Sequence, residues 1–262
     1  MNGTRVRAIA RRHWYASLQS PPRMIDMVFW PILDLMLWGI LTTFLERQQA
    51  RLPVPIAFLL GGVLLWDLVF RSKNGIAIAV LSEGYTQNLV NVLASPVTPT
   101  EYLAGLLLFA ISRTAVSWII MTGLAWLLFS FGVVGIGPAL VAYVGLLLLY
   151  GVALAMIVVG LVFRFGPAAD ELAWAIGGLV VPFAAVYYPL MALPGWARAV
   201  ASAMPPARIF ESMRAVLAGR AADPHALVVA LALDLVYLAA GLAYANAMFA
   251  VFRRRGFVSR YM

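Results

Sequence analysis

Long apolar runs alternate with short polar stretches along the whole chain. The runs cover residues 24–45, 54–72, 102–129, 139–163, 172–188 and 226–252. The first, 22 residues, is long enough as a helix, at about 1.5 Å per residue, to cross a hydrocarbon core about 30 Å thick. The pattern predicts an all-α polytopic membrane protein with six transmembrane helices in one transmembrane domain over 1–262. Three further segments are amphipathic. In 1–19, Val6, Ile9, Ala10, Trp14 and Leu18 share one helical face and Arg5, Arg7, Arg11 and Arg12 mostly the other. That suits an interfacial helix in an anionic headgroup layer, and equally a simple basic flank. In 83–94, Tyr85, Leu89, Val92 and Leu93 recur on one face and Gln87, Asn88 and Asn91 on the other. Ser95-Pro96 stops that short helix, because a residue before proline leaves the helical region. The next helix has Thr98 as N-cap, Pro99 at its first position and Glu101 to complete a capping box, with Val97 and Tyr102 as a hydrophobic staple.

The third amphipathic segment, 189–224, is too polar to span and too apolar for an ordinary loop. Trp196, Val200 and Met204 form one stripe; after Pro205-Pro206, Ile209, Phe210, Met213 and Leu217 form another. Two half-inserted helices, a re-entrant pair, fit this pattern. Arg208, Glu211 and Arg214 fall on one side of the second and read as a solvated, mutually compensated face.

Composition fixes the class. The chain is 63% hydrophobic and 11% charged, with mean hydropathy +0.91, which a soluble domain of 262 residues does not carry. No secretory signal peptide is expected, since the first apolar run follows a polar, basic stretch, contains Asp34 and lacks a small-residue cleavage site. With the N-terminus inside, twelve of the nineteen Lys and Arg lie on the inner side, six on the outer side and Arg113 within a span. This asymmetry predicts a multi-pass protein of the cell (inner) membrane with both termini cytoplasmic. The net charge of +8 therefore marks the cytoplasmic face and not a nucleic-acid partner.

Several chemistries are excluded or disfavoured. There are no cysteines, so no thiolate or Cys-metal site. His13 and His225 are predicted on opposite sides of the membrane, and no GxSxG occurs. The single lysine, Lys73, sits in Arg71-Ser72-Lys73-Asn74, which is no glycine-rich phosphate loop, so the chain has no Walker A motif. No catalytic residue, metal or bound cofactor is expected. Asp34, Asp67, Arg113 and Asp234 fall inside spans, where charges either serve transport or pair to fix packing. Asp67 and Arg71 are spaced for an i to i+4 ion pair. The second span either ends near Arg71 and Lys73 or continues as helix to Leu81. Depth alone leaves the other pairings open.

The order of motifs resembles the ABC-2 type transporter permeases, the membrane subunits of ATP-driven exporters. It is carried by Glu83-Gly84-Tyr85-Thr86 and Leu93-Ala94-Ser95-Pro96-Val97-Thr98-Pro99-Thr100-Glu101 in the first inner loop. After the fifth span come Tyr187-Tyr188-Pro189-Leu190, Leu193-Pro194-Gly195-Trp196, Met204-Pro205-Pro206 and Phe210-Glu211-Ser212-Met213-Arg214. The resemblance implies a homodimer with the path between two copies, and a separate ATP-binding-cassette ATPase that carries ATP and Mg. It implies that 83–94 is a coupling helix, with Glu83, Tyr85, Gln87, Asn88, Asn91, Ser95 and Pro96 facing the ATPase. It makes 1–19 a connecting helix among membrane lipids, and 189–220 the outer closure of the path. Tyr187, Tyr188, Pro189, Pro194, Phe210, Glu211 and Arg214 would then line a gate. The implied cargo is an amphipathic, lipid-like or drug-like molecule or a lipid-linked glycan. Rival readings are an ion-coupled secondary transporter using Asp34, Asp67 or Asp234, a membrane enzyme, and a structural subunit. The first needs an internal repeat, and 20–130 matches 135–255 only loosely.

Overall fold

Polar punctuation at prolines and caps sets where each helix begins. The computed structural model describes residues 1–47, 57–85 and 95–254, which contain no strand. The helices among them are α1 (Gly3–Leu18), α2 (Pro21–Arg47), α3 (Ala57–Tyr85), α4 (Pro99–Phe129), α5 (Ala139–Phe165), α6 (Asp170–Val180), α7 (Gly195–Ser202), α8 (Pro205–Leu217) and α9 (Pro224–Arg254). Helices α2, α4, α5 and α9 are each long and apolar enough to cross a membrane. Membrane character is thus established by four helices.

The other two expected spans differ. α3 has 29 residues, but Asp67, Arg71, Lys73 and Glu83 make it too polar by composition alone. It runs past the predicted end at 72 and past Leu81, so the short helix expected at 83–94 does not begin at Glu83, which is still within α3. Residues 86–94, including Gln87, Asn88 and Asn91, lie outside the described residues. The fifth run, expected over 172–188 with a break at Pro182, forms the 11-residue α6 and then a 3-10 turn at Val181–Phe183, so the break falls where it is expected. Pro182 is the cause: it has no N–H to donate and its ring clashes with the preceding turn.

α5 is the packing axis. Tyr143, Leu147, Tyr150 and Val158 on it are fully buried, and it packs against α9 on one side and α3 on the other. Small residues let these backbones approach. A Cβ on Gly241 of α9 would stand 2.8 Å from the Ala153 carbonyl oxygen, and one on Gly151 of α5 2.8 Å from that of Val69 in α3.

The expected start of α4 is seen in full. The Thr98 side chain accepts from the Glu101 backbone N–H at 3.3 Å, and Glu101 Oε2 accepts from the Thr98 N–H at 3.1 Å. Glu101 also reaches across to α1: its Oε1 accepts from the Asn2 N–H at 2.7 Å, and Arg5 lies 3.4 Å from Oε2. α1 then lies along α4. Ile9 sits over Gly105, and the Trp14 indole donates to Ser112 Oγ at 2.8 Å. The predicted apolar face of α1 thus covers protein, with His13 and Ser17 buried beside Ile9 and Ala10, while Leu18 stays exposed. A Cβ on Gly105 would come within 2.6 Å of Ile9 Cβ and 3.0 Å of the Val6 carbonyl oxygen. Gly105→Val is therefore expected to lift α1 off α4. Limited trypsin digestion should then cut at Arg7, Arg11 and Arg12 several-fold faster than in the parent chain, with the rest of the bundle still protected.

Candidate functional site

Four helices each present a stripe to one groove. On α2 it is Pro22, Asp26, Trp30, Asp34 and Trp38, one residue per turn. On α3 it includes Trp66, Asp67, Phe70, Arg71, Asn74 and Ser82; on α4 it is Phe109, Arg113, Ser117 and Met121. α6 adds Trp174, Gly177 and Gly178. Spacing of three and four puts each set on a single helical face. Between the stripes lie three cavities of ≈ 170, 160 and 180 Å³. The first and second share Asp26 and Arg113; the second and third share Asp34 and Phe70. They form a string running from His13 and Ser82 to Trp38 and Tyr187.

The groove's charges pair off unevenly. Arg113 Nη2 lies 2.6 Å from Asp26 Oδ2. Arg71 Nε donates to both oxygens of Asp67 at 2.8 Å, the ion pair expected from their spacing. Arg71 Nη1 also reaches the Asp26 carbonyl oxygen at 3.4 Å, which ties α3 to α2. Asp34 has no hydrogen bond or ion pair among the described residues, although Arg71 is close enough to act on it through space. Asp34 is also exposed at the surface of the chain, as are its neighbours in sequence Leu33 and Leu37.

Three of the four membrane charges singled out in the sequence thus meet in one groove. Asp234 does not. It is fully buried on α9 near Tyr150 of α5, with neither carboxylate oxygen hydrogen-bonded among the described residues. Asp26 was missed. Its signal was the four-residue step that also marks Trp30 and Asp34.

One end of the groove is closed by a corner of chain held by α8. Arg214 is 4% exposed, so it is no solvated face: it is the anchor of this corner. Its guanidinium lies 4.0 Å from the centre of the Phe58 ring, its Nη1 2.7 Å from Glu211 Oε1, and its Nη2 donates to the Ala185 and Tyr188 carbonyls. Glu211 in turn accepts the Leu190 N–H. Ala185 is left-handed (φ 54), a conformation that costs a non-glycine residue about 1 kcal/mol or more. Tyr187 stacks on Trp38, centroids 4.2 Å apart and planes 11° off parallel. Tyr188 donates to the Pro182 carbonyl. Phe210 is fully buried, whereas Pro189 is half-buried and Pro194, just before α7, is exposed. Arg208 leaves the group and donates to the Ser202 carbonyl. Two short helices with a break at 203–204 are present as expected. The apolar stripe of α7 points outward, however: Trp196 is 68% exposed, while Ala197 and Ala201 face inward.

The other end meets α1. Arg12 Nη2 lies 2.6 and 2.8 Å from the two oxygens of Glu83, itself 2% exposed, and His13 Nε2 lies 3.5 Å from Oε1. Burial holds the His13 imidazole below its ordinary range, against the pull of Glu83. Tyr85 ends α3; Ser95 is half-buried and Pro96 exposed ahead of α4.

No protein-family model matches this chain, and no curated protein matches it.

Proposed function

We propose that the chain is the permease subunit of an ATP-driven exporter, working as a homodimer with a separate ATP-binding-cassette ATPase. The observation that carries this reading is the polar groove along α2, α3, α4 and α6. It runs the length of long apolar helices and leaves a carboxylate exposed on the surface of a single copy. A bare carboxylate facing lipid is costly, so that surface calls for water or a second chain. Placing a second copy against α2 would cover Asp34 and turn two open grooves into one path. In this reading α3, and α6 together with residues 181–188, complete a six-span fold, with α3's charges turned to the path. The α7–α8 pair and the 184–190 corner form its outer closure. The end of α3, with Glu83 and Tyr85, passes motion from the ATPase, and both termini are cytoplasmic. The chain hydrolyses no ATP itself; differential contact of the ATPase with two permease states supplies the bias.

The test is a mild-detergent pull-down of the tagged chain from its native membranes with quantitative mass spectrometry. A P-loop ATPase at about one copy per permease is the expected result. Its absence, with transport dependent on a proton gradient, would overturn the proposal in favour of an ion-coupled carrier using Asp34.

A further inference from the structure

We infer that Asp34 and the rings around it form a binding site for a monovalent organic cation, an ammonium or phosphonium head on an apolar body. In the exporter reading above this is the cargo class; calling the bound molecule cargo rests on that reading, and the site itself does not. Three carboxylates and two guanidiniums line the two cavities that meet at Asp34, and each guanidinium is already held by its own carboxylate, Arg113 by Asp26 and Arg71 by Asp67. One negative charge is left over, and it stands where the cavities join. Lys73 does not offset it there: that side chain is 1% exposed, sits behind Phe70 and donates to the Ala173 carbonyl at 2.8 Å.

The walls select the kind of cation. Trp30 and Trp38 stand one turn either side of Asp34, with Tyr187 stacked on Trp38 and Phe70 beside Trp174 at 5.7 Å between centroids. Ring faces attract weakly hydrated organic cations, and a desolvated contact strengthens that attraction. A hard ion such as Mg²⁺ or Ca²⁺ needs six or more oxygens, and among the described residues Asp34 is the one carboxylate at this junction not paired with an arginine. One carboxylate among aromatic rings suits a large, soft single charge.

The experiment measures equilibrium binding of radiolabelled tetraphenylphosphonium to the purified full chain in lipid nanodiscs. Tetraphenylborate, with the same shape and the opposite charge, is measured in a separate sample, because the two ions precipitate each other. Saturable binding of the phosphonium and none of the borate is expected. Asp34→Asn should weaken it about tenfold or more, Asp34→Glu should keep most of it, and Glu46→Gln, an exposed carboxylate outside the groove, should leave it unchanged. Absence of saturable phosphonium binding, equal saturable binding of the borate, or full binding by a monodisperse Asp34→Asn chain would each overturn the inference. Should Asp34→Asn fail to fold, the charge selectivity of the parent chain decides alone. The outcome is separable from the pull-down. An ATPase partner without cation binding removes only this inference; cation binding without an ATPase keeps the site and removes the exporter.

Discussion

Replacing Arg214 with alanine is expected to cost the fold about 3 kcal/mol, with Arg214→Lys recovering little of it. The guanidinium is buried and engaged on four sides at once: the Ala185 and Tyr188 carbonyls, Glu211, and the face of Phe58. Removing it strands two carbonyl acceptors in the corner and leaves Glu211 without its counter-charge, and unsatisfied buried polar groups cost about 1–3 kcal/mol each. Part of that is recovered, because Glu211 is partly exposed and its charge can be solvated. A lysine ammonium is a point donor on a flexible stem and cannot fork between two carbonyls while sitting flat on a ring. The loss should also be local in character. Ala185 holds a left-handed backbone only because its surroundings enforce it, and Tyr187 keeps its stack on Trp38 only while the corner holds. Thermal unfolding in detergent reports the stability change. Quenching of Trp38 and its neighbours by a water-soluble quencher should rise in the same variants. An unchanged unfolding temperature in Arg214→Ala would show that the corner is held by something else.

Arg214 also shows which features a single sequence reveals. Signals that act within one turn of chain were legible. The Thr98–Glu101 capping box, the break at Pro205-Pro206 and the Asp67–Arg71 pair all depend on neighbours three or four residues away. Contacts between distant segments were not. Nothing in the spacing joins Asp26 to Arg113, or Arg12 to Glu83, across 87 and 71 residues. Facing was the hardest property to read, for a physical reason. In water an apolar stripe must turn inward, but beside lipid either side of a helix can be apolar at little cost. Trp196 and Val200 therefore form a clear stripe and still point out, while Arg214, read as solvated, points in. The same ambiguity hid the groove. Two of the five residues in its α2 stripe are tryptophans, the residue type of membrane anchors, and Asp34 stands between them.

At the opposite end, the Arg12–Glu83 contact should respond asymmetrically to mutation. Arg12→Ala is expected to destabilise the chain by about 2 kcal/mol and Glu83→Gln by about 1 kcal/mol or less. The reason is the unequal burial of the partners: the Arg12 side chain is 45% exposed and the Glu83 side chain 2%. When glutamate is neutralised, the stranded arginine can turn to solvent. When arginine is removed, the carboxylate stays buried without its Arg12 counter-charge, beside a histidine whose charged form burial disfavours. The double variant Arg12→Ala, Glu83→Gln should therefore be more stable than Arg12→Ala alone, a sign that only removal of the buried charge produces. Acid acts on the same junction. The imidazole of His13 titrates below its usual value of about 6.5 when folded, so the stability it contributes is complete above that pH and is lost as pH falls toward its folded value. Function and stability should separate here. In the exporter reading, Glu83 joins α1 to the segment that meets the ATPase. Glu83→Gln, which largely keeps the fold, should then lower cargo-stimulated ATP hydrolysis by about tenfold while basal hydrolysis by the partner is unchanged. Stimulation that survives in Glu83→Gln would place the coupling contact elsewhere on the inner face, and would leave the Arg12–Glu83 pair as a fastener for α1 alone.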